Sequence, residues 1–131
     1  MASGLTINKT NGNTPTVNTT SISWTGSVSG GGFCFYTSPG IPLADYTSLK
    51  IDFECSYNYG GEYSIAFGFG TDATTGSIIG NTNWTAKVAN QTNGTIARNT
   101  LSCDVSDLTT SQYFKMAGLY TAGTIYNIWL E

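Results

Sequence analysis

Polar and apolar residues alternate with a period of two along most of this chain, and no stretch of ten or more residues repeats apolar positions at helical spacing. In SISWTGSV, Ile22, Trp24 and Val28 share one face, and Ser21, Ser23, Thr25 and Ser27 share the other. In EYSIAFGFG, Tyr63, Ile65, Phe67 and Phe69 oppose Glu62, Ser64, Ala66 and Gly68. With GLTINK, GFCFYT, SLKIDFECSY, NWTAKVANQ, TIARNTLSCDV, QYFKMAGLY and TIYNIWL, the pattern predicts about nine strands separated by Gly, Asn, Pro and Asp clusters. Strands this short, each apolar on one side, require two sheets packed face to face, so the expected fold is an all-β, antiparallel two-sheet sandwich formed by residues 1–131 as one domain.

Three connections carry information. TSPGIPLADYTS contains two prolines that exclude a central strand, so it is expected to cross over between the strand around Phe33 to Tyr36 and the strand Leu49 to Cys55. NYGG reads as the tight turn of a hairpin, since Gly60 and Gly61 tolerate positive φ. TDATTGSIIGNTN is a polar excursion around Ile78 and Ile79 with room for one helical turn.

Composition supports a folded, turn-rich β protein. The chain has 131 residues, 40% of them hydrophobic and only 10% charged, against roughly 25% charged in an average soluble protein. Net charge is −3, and the basic residues Lys9, Lys50, Lys87, Arg98 and Lys115 are scattered, which leaves no footprint for nucleic acid. There is no His, which removes the commonest general base and the commonest transition-metal ligand. No run is long and apolar enough to span a bilayer, and MASGLTINKT lacks the apolar core of a signal peptide, so a mature, excised or otherwise exported soluble chain is expected. Met1-Ala2-Ser3 and Leu130-Glu131 read equally as appended residues or as native ends, and the five N-x-S/T sequons as chance in a chain rich in Asn and Thr.

The three cysteines lack the spacing of zinc or redox sites. Cys55 shares parity with Leu49, Ile51 and Phe53, and Cys103 with Leu101 and Val105, so both point inward. They are read either as buried free thiols or as a bond between the sheets, while Cys34 is left over.

Asp52 and Glu54 lie two residues apart on one strand, about 6.6 to 7 Å, a separation that glycosidases use. Their environment points away from catalysis. A general acid needs its pKa raised by burial or a like charge, whereas this pair shares a face with Lys50 and Ser56. A hydrated sheet surface, or a polar binding face, is the expected setting.

The C-terminal third, LSCDVSDLTTSQYFKMAGLYTAGTIYNIWLE, in which Asp-Val-Ser-x-Leu closes one strand, a turn leads to a Tyr-Phe strand, and Ile-Trp-Leu closes the last, resembles the galactose-binding-like jelly rolls. DYTSLKIDFECSYN is similar to their central Tyr-x-x-Leu-x-Ile strand, and the resemblance covers roughly residues 20–131. It implies a jelly roll of the kind found in carbohydrate-binding modules of glycan-degrading enzymes and in accessory domains of phage tails and capsids. A non-enzymatic binding module on the cell or virion surface is therefore expected, with glycan as partner. The alternative is a virion protein, either capsid decoration or tail appendage, whose aromatic residues make assembly contacts, including contacts with other virion or enzyme domains. A structural Ca²⁺ is implied by the same resemblance, with Asp72, Asp104 and Asp107 able to supply oxygens, although Asp107 also suits a cap on LTTSQ.

Sugars are bound by aromatic platforms flanked by hydrogen-bonding groups. Among the aromatic residues, Trp24, Phe35, Phe53, Phe67 and Phe69 carry inward parity, and Trp129 lies in a strand apolar on both faces and is expected to be buried. Tyr36, Tyr57, Tyr59, Trp84 and Tyr113 remain as candidate contacts, Trp84 with a half-buried loop-capping role as the alternative. Tyr36, and Tyr113 together with Lys115, are expected to emerge on a solvent-facing sheet surface, which resembles a glycan-binding cleft if it is also the face of Asp52 and Glu54.

Overall fold

The computed structural model describes residues 6–12, 15–25, 32–57, 65–71, 84–90, 96–119 and 121–131, with side chains omitted at 7–12, 32–35, 57, 65, 87–90, 118–119 and 121. Among these the regular structure is entirely strand: β1 (Thr6–Gly12), β2 (Thr16–Val17), β3 (Ile22–Trp24), β4 (Gly32–Ser38), β5 (Ser48–Tyr57), β6 (Ile65–Gly70), β7 (Ala86–Asn90), β8 (Ile96–Asp104), β9 (Tyr113–Leu119) and β10 (Thr121–Leu130). They form two five-stranded antiparallel sheets, β1-β4-β9-β6-β7 and β2-β3-β10-β5-β8. Nine of the ten strands answer to the alternating runs of the sequence, and the two-residue β2 is the addition.

One hydrophobic core joins the sheets in a β-sandwich-like arrangement. Ile22, Trp24, Leu49, Ile51, Phe53, Cys55, Ile96, Cys103 and Ile125 of the second sheet cluster with Phe67, Phe69, Phe114 and Met116 of the first. The inward positions of β5 alternate strictly with half-buried Lys50, Asp52, Glu54 and Ser56, which is the period-two rule realised in space. Phe69 and Phe114 meet edge to face with centroids 6.1 Å apart, a favoured geometry for aromatic quadrupoles.

The segment after β4 crosses from the first sheet to the second as expected, with a cis Ser38–Pro39 bond, Leu43 fully buried, and Ile41 bridged to Gln112. NYGG lies outside the described residues, but the strands on either side of it, β5 and β6, lie in different sheets, where the sequence pattern pairs them as a hairpin. A Gly-rich turn permits reversal, but β5 is already paired on both sides, by β10 and β8, and leaves no edge for β6. The excursion at TDATTGSIIGNTN lies, apart from Thr71, outside the described residues.

Cys55 and Cys103 are free and buried. Both sit in the second sheet, not across the sandwich. Cys103 pairs with Leu49, six residues along β5 from Cys55, which separates them by roughly 20 Å and excludes a bond. Burial pushes both thiols up to about 11, with Asp104 adding to the effect on Cys103.

Candidate functional site

The outer face of the second sheet is polar. β5 contributes Lys50, Asp52, Glu54 and Ser56, flanked by Arg98, Thr100, Ser102 and Asp104 of β8 and by Thr124, Tyr126, Asn127 and Trp129 of β10. Both neighbours of β5 are bulged at one place. On β10 the register slips between Ile125 and Asn127, making Tyr126 the extra residue beside Phe53 and Asp52. On β8, Ala97 and Arg98 together oppose Glu54. A bulge inserts one residue against the partner strand and re-aims its side chain. Here two bulges converge on Asp52 and Glu54.

The result is a closed polar network. Arg98 donates from Nε to Oδ1 and Oδ2 of Asp52, at 3.2 and 3.1 Å, and from Nη2 to Oδ2 at 2.7 Å. Its guanidinium carbon lies 4.0 Å from the centroid of the Tyr126 ring. Tyr126 donates its hydroxyl to Glu54 Oε1 at 2.5 Å. A planar cation stacked on an aromatic face while forking a carboxylate is a role Arg fills and Lys does not. A second group lies further along the face, where Glu131 accepts from the Trp129 indole at 2.9 Å and pairs with Lys50 at 2.8 Å.

These contacts set the electrostatics. The hydrogen bonds and charge of Arg98 hold the Asp52 carboxyl below its usual range, and Asp52 in turn pushes Arg98 up. The Glu54 carboxylate raises Tyr126. Lys50 and then Trp129 lower Glu131, and Ser106 lowers Asp104. Carboxylates depressed in the folded state give stability that is present above their unfolded values, 3.8 for Asp and 4.5 for Glu, and is lost as pH falls through the folded ones. Melting temperature measured between pH 7 and pH 2 is therefore expected to hold near neutrality and fall below about pH 4. Arg98→Gln should flatten that acid limb; an unchanged limb would show that the Asp52 pairing contributes nothing.

The structure divides the residues expected at one cleft. Tyr36 and Tyr113 lie in β4 and β9 of the first sheet, with rings 6.0 Å apart at 84°, and so do not share a face with Asp52 and Glu54. Lys115 is a further correction: it is fully buried, as are Ala66 and Ala117 on the same side of the first sheet. Parity assigned Lys115 the side away from the core correctly, but that side is covered over the central strands β6 and β9. Trp84 precedes β7 of the first sheet and is half-buried, and the loop it was expected to cap lies outside the described residues; among the described residues its Nε1 has no acceptor. Tyr57 ends β5 with its side chain outside the described set, and Tyr59 lies outside it altogether.

Of the proposed metal ligands, Asp72 lies outside the described residues. Asp104 and Asp107 are exposed, and Asp104 Oδ1 accepts from the Ser106 amide at 2.9 Å and hydroxyl at 2.7 Å, closing a local turn. Among the described residues no group of three or more side chains is placed to hold a metal ion, and no helix is long and apolar enough to cross a membrane.

Three residues of the site were not among the sequence candidates: Arg98, Tyr126 and Trp129. Trp129 belongs to a central strand as expected but is half-exposed on the polar face, not buried. A signal was present in TIYNIWL, where strict alternation puts the polar Asn127 in register with Ile125, a conflict that a bulge resolves. No protein-family model matches the chain, and comparison with curated proteins and with solved structures finds no similar one.

Proposed function

We propose that this protein is a non-catalytic binding module, displayed outside the cell or on a virion, that recognises carbohydrate through the outer face of its second sheet. We read its sandwich as a galactose-binding-like jelly roll. The observation that carries the proposal is the pair of facing bulges that fixes Arg98 and Tyr126 around Asp52 and Glu54. Side chains locked by each other lose little freedom when a ligand arrives, which favours a binding role. A general acid would need the opposite of what Arg98 does to Asp52. Among the described residues the exposed large hydrophobics are Val17 and Tyr46, on separate elements, so the described surface offers polar contacts.

A glycan array probed with the wild-type chain is expected to give hits that weaken about tenfold or more in Tyr126→Ala and Trp129→Ala, each confirmed as folded by circular dichroism. An array without hits, together with a concentration-dependent particle mass in light scattering, would instead make this face an assembly contact of a virion protein.

A further inference from the structure

We propose that the groove crossing the end of β5, β8 and β10 is a subsite for a neutral polyhydroxylated ligand, whose neighbouring hydroxyls are held between Glu54 and Arg98. The groove measures about 430 Å³ and is lined by Glu54, Ser56, Ala97, Ala122, Gly123 and Thr124, together with Cys55 and Ile96. That volume falls in the range small ligands occupy. Its lining combines small residues, Ala97, Ala122 and Gly123, with polar ones, Glu54, Ser56 and Thr124.

Glu54 lines the groove, and Arg98, which does not line it, follows the lining Ala97 and opposes the same Glu54, so an acceptor and a donor stand side by side where the groove begins. Tyr126 engages Oε1 of Glu54, which as a carboxylate retains acceptor sites on both oxygens. The bonds to Asp52 engage the Nε–H and one Nη2–H of the five N–H donors that Arg98 carries, and its side chain is 57% exposed. A hydroxyl donates and accepts, so two adjacent hydroxyls satisfy a carboxylate and a guanidinium at once. Charge selects the same class. Arg98 pairs with Asp52 and Lys50 with Glu131, and Glu54, which has no ion pair among the described residues, disfavours phosphate, sulfate or carboxylate groups in the groove. The bulge that aims Arg98 also sets Ala97 opposite Glu54, so one backbone irregularity makes both the groove wall and the donor.

This assignment rests on the glycan-binding reading, and one experiment separates the two. An array of neutral, sialylated and sulfated oligosaccharides is probed with wild type, Ala97→Trp, Glu54→Gln and Tyr46→Trp, each checked for folding by circular dichroism. Ala97 is exposed, so its indole replacement fills the groove without entering the core. Binding to neutral glycans is expected, falling about tenfold or more in Ala97→Trp and in Glu54→Gln and unchanged in Tyr46→Trp. Should Ala97→Trp fail to fold, Glu54→Gln decides. Wild-type binding that survives both groove variants overturns the groove and leaves the glycan reading standing. A preference for sialylated or sulfated glycans overturns the ligand class, and no binding by wild type overturns the glycan reading itself.

Discussion

Gly123→Ala is expected to destabilise the protein by about 3 kcal/mol, lowering the melting temperature by roughly 10 °C. Gly123 sits in β10 opposite Cys55 of β5 and Trp24 of β3. A Cβ there would lie 2.3 Å from the Glu54 carbonyl oxygen, 2.7 Å from Cys55 Cβ and 2.8 Å from Trp24 Cζ2. Two of those atoms belong to or directly follow the β5 backbone, which is hydrogen-bonded on both flanks, so relief requires the strands to part. Gly40→Ala is the control, because its Cβ would stand 3.5 Å from the Gln112 carbonyl oxygen, an ordinary contact. Thermal melts of the two variants should differ sharply, and a Gly123→Ala protein that melts with wild type would mean that β10 and β5 are not packed as described. Any displacement of the Glu54 carbonyl would also disturb the polar network, so under the proposed binding role this variant is expected to weaken glycan binding as well.

Phe53→Ala should cost about 3 to 5 kcal/mol, a large part of the total stability of about 5 to 15 kcal/mol available to a domain of this size. Phe53 is fully buried and faces the core from the middle of β5, paired with Ile125 on one side and Asn99 on the other. Truncation removes the transfer free energy of the ring and leaves a cavity, and the strand cannot collapse into that space while both neighbours hold it in register. Urea titration of the variant should show the loss as a lower midpoint with an unchanged slope. A shift corresponding to less than about 1 kcal/mol would contradict the placement of Phe53 at the centre of the core.

Much of the interior was legible in the sequence. Ile22, Trp24, Leu49, Ile51, Phe53, Phe67 and Phe69 are buried where alternation placed them. The prolines of TSPGIP marked the crossover, and the placement of Asp52 and Glu54 on a half-exposed polar face followed from the parity of β5. The candidate site was only half legible. Asp52 and Glu54 stand in the polar network of the second sheet, whereas Tyr36, Tyr113 and Lys115 lie in the first sheet, and the partners in that network, Arg98 and Tyr126, were not among the candidates. Parity within a strand says which residues share a side. It does not say which strands share a sheet.

The sequence by itself determined that the chain forms strands with one oily side, because the apolar period matches the pleat and burying those sides requires a second layer. Tertiary structure alone decided the assignment of strands to sheets, the covering of Lys115, and the two bulges opposite β5. Pairing partners are chosen by contacts between residues distant in the chain, and a single inserted residue reverses every later side-chain direction in a strand, so Tyr126 meets Arg98 through register and not through spacing.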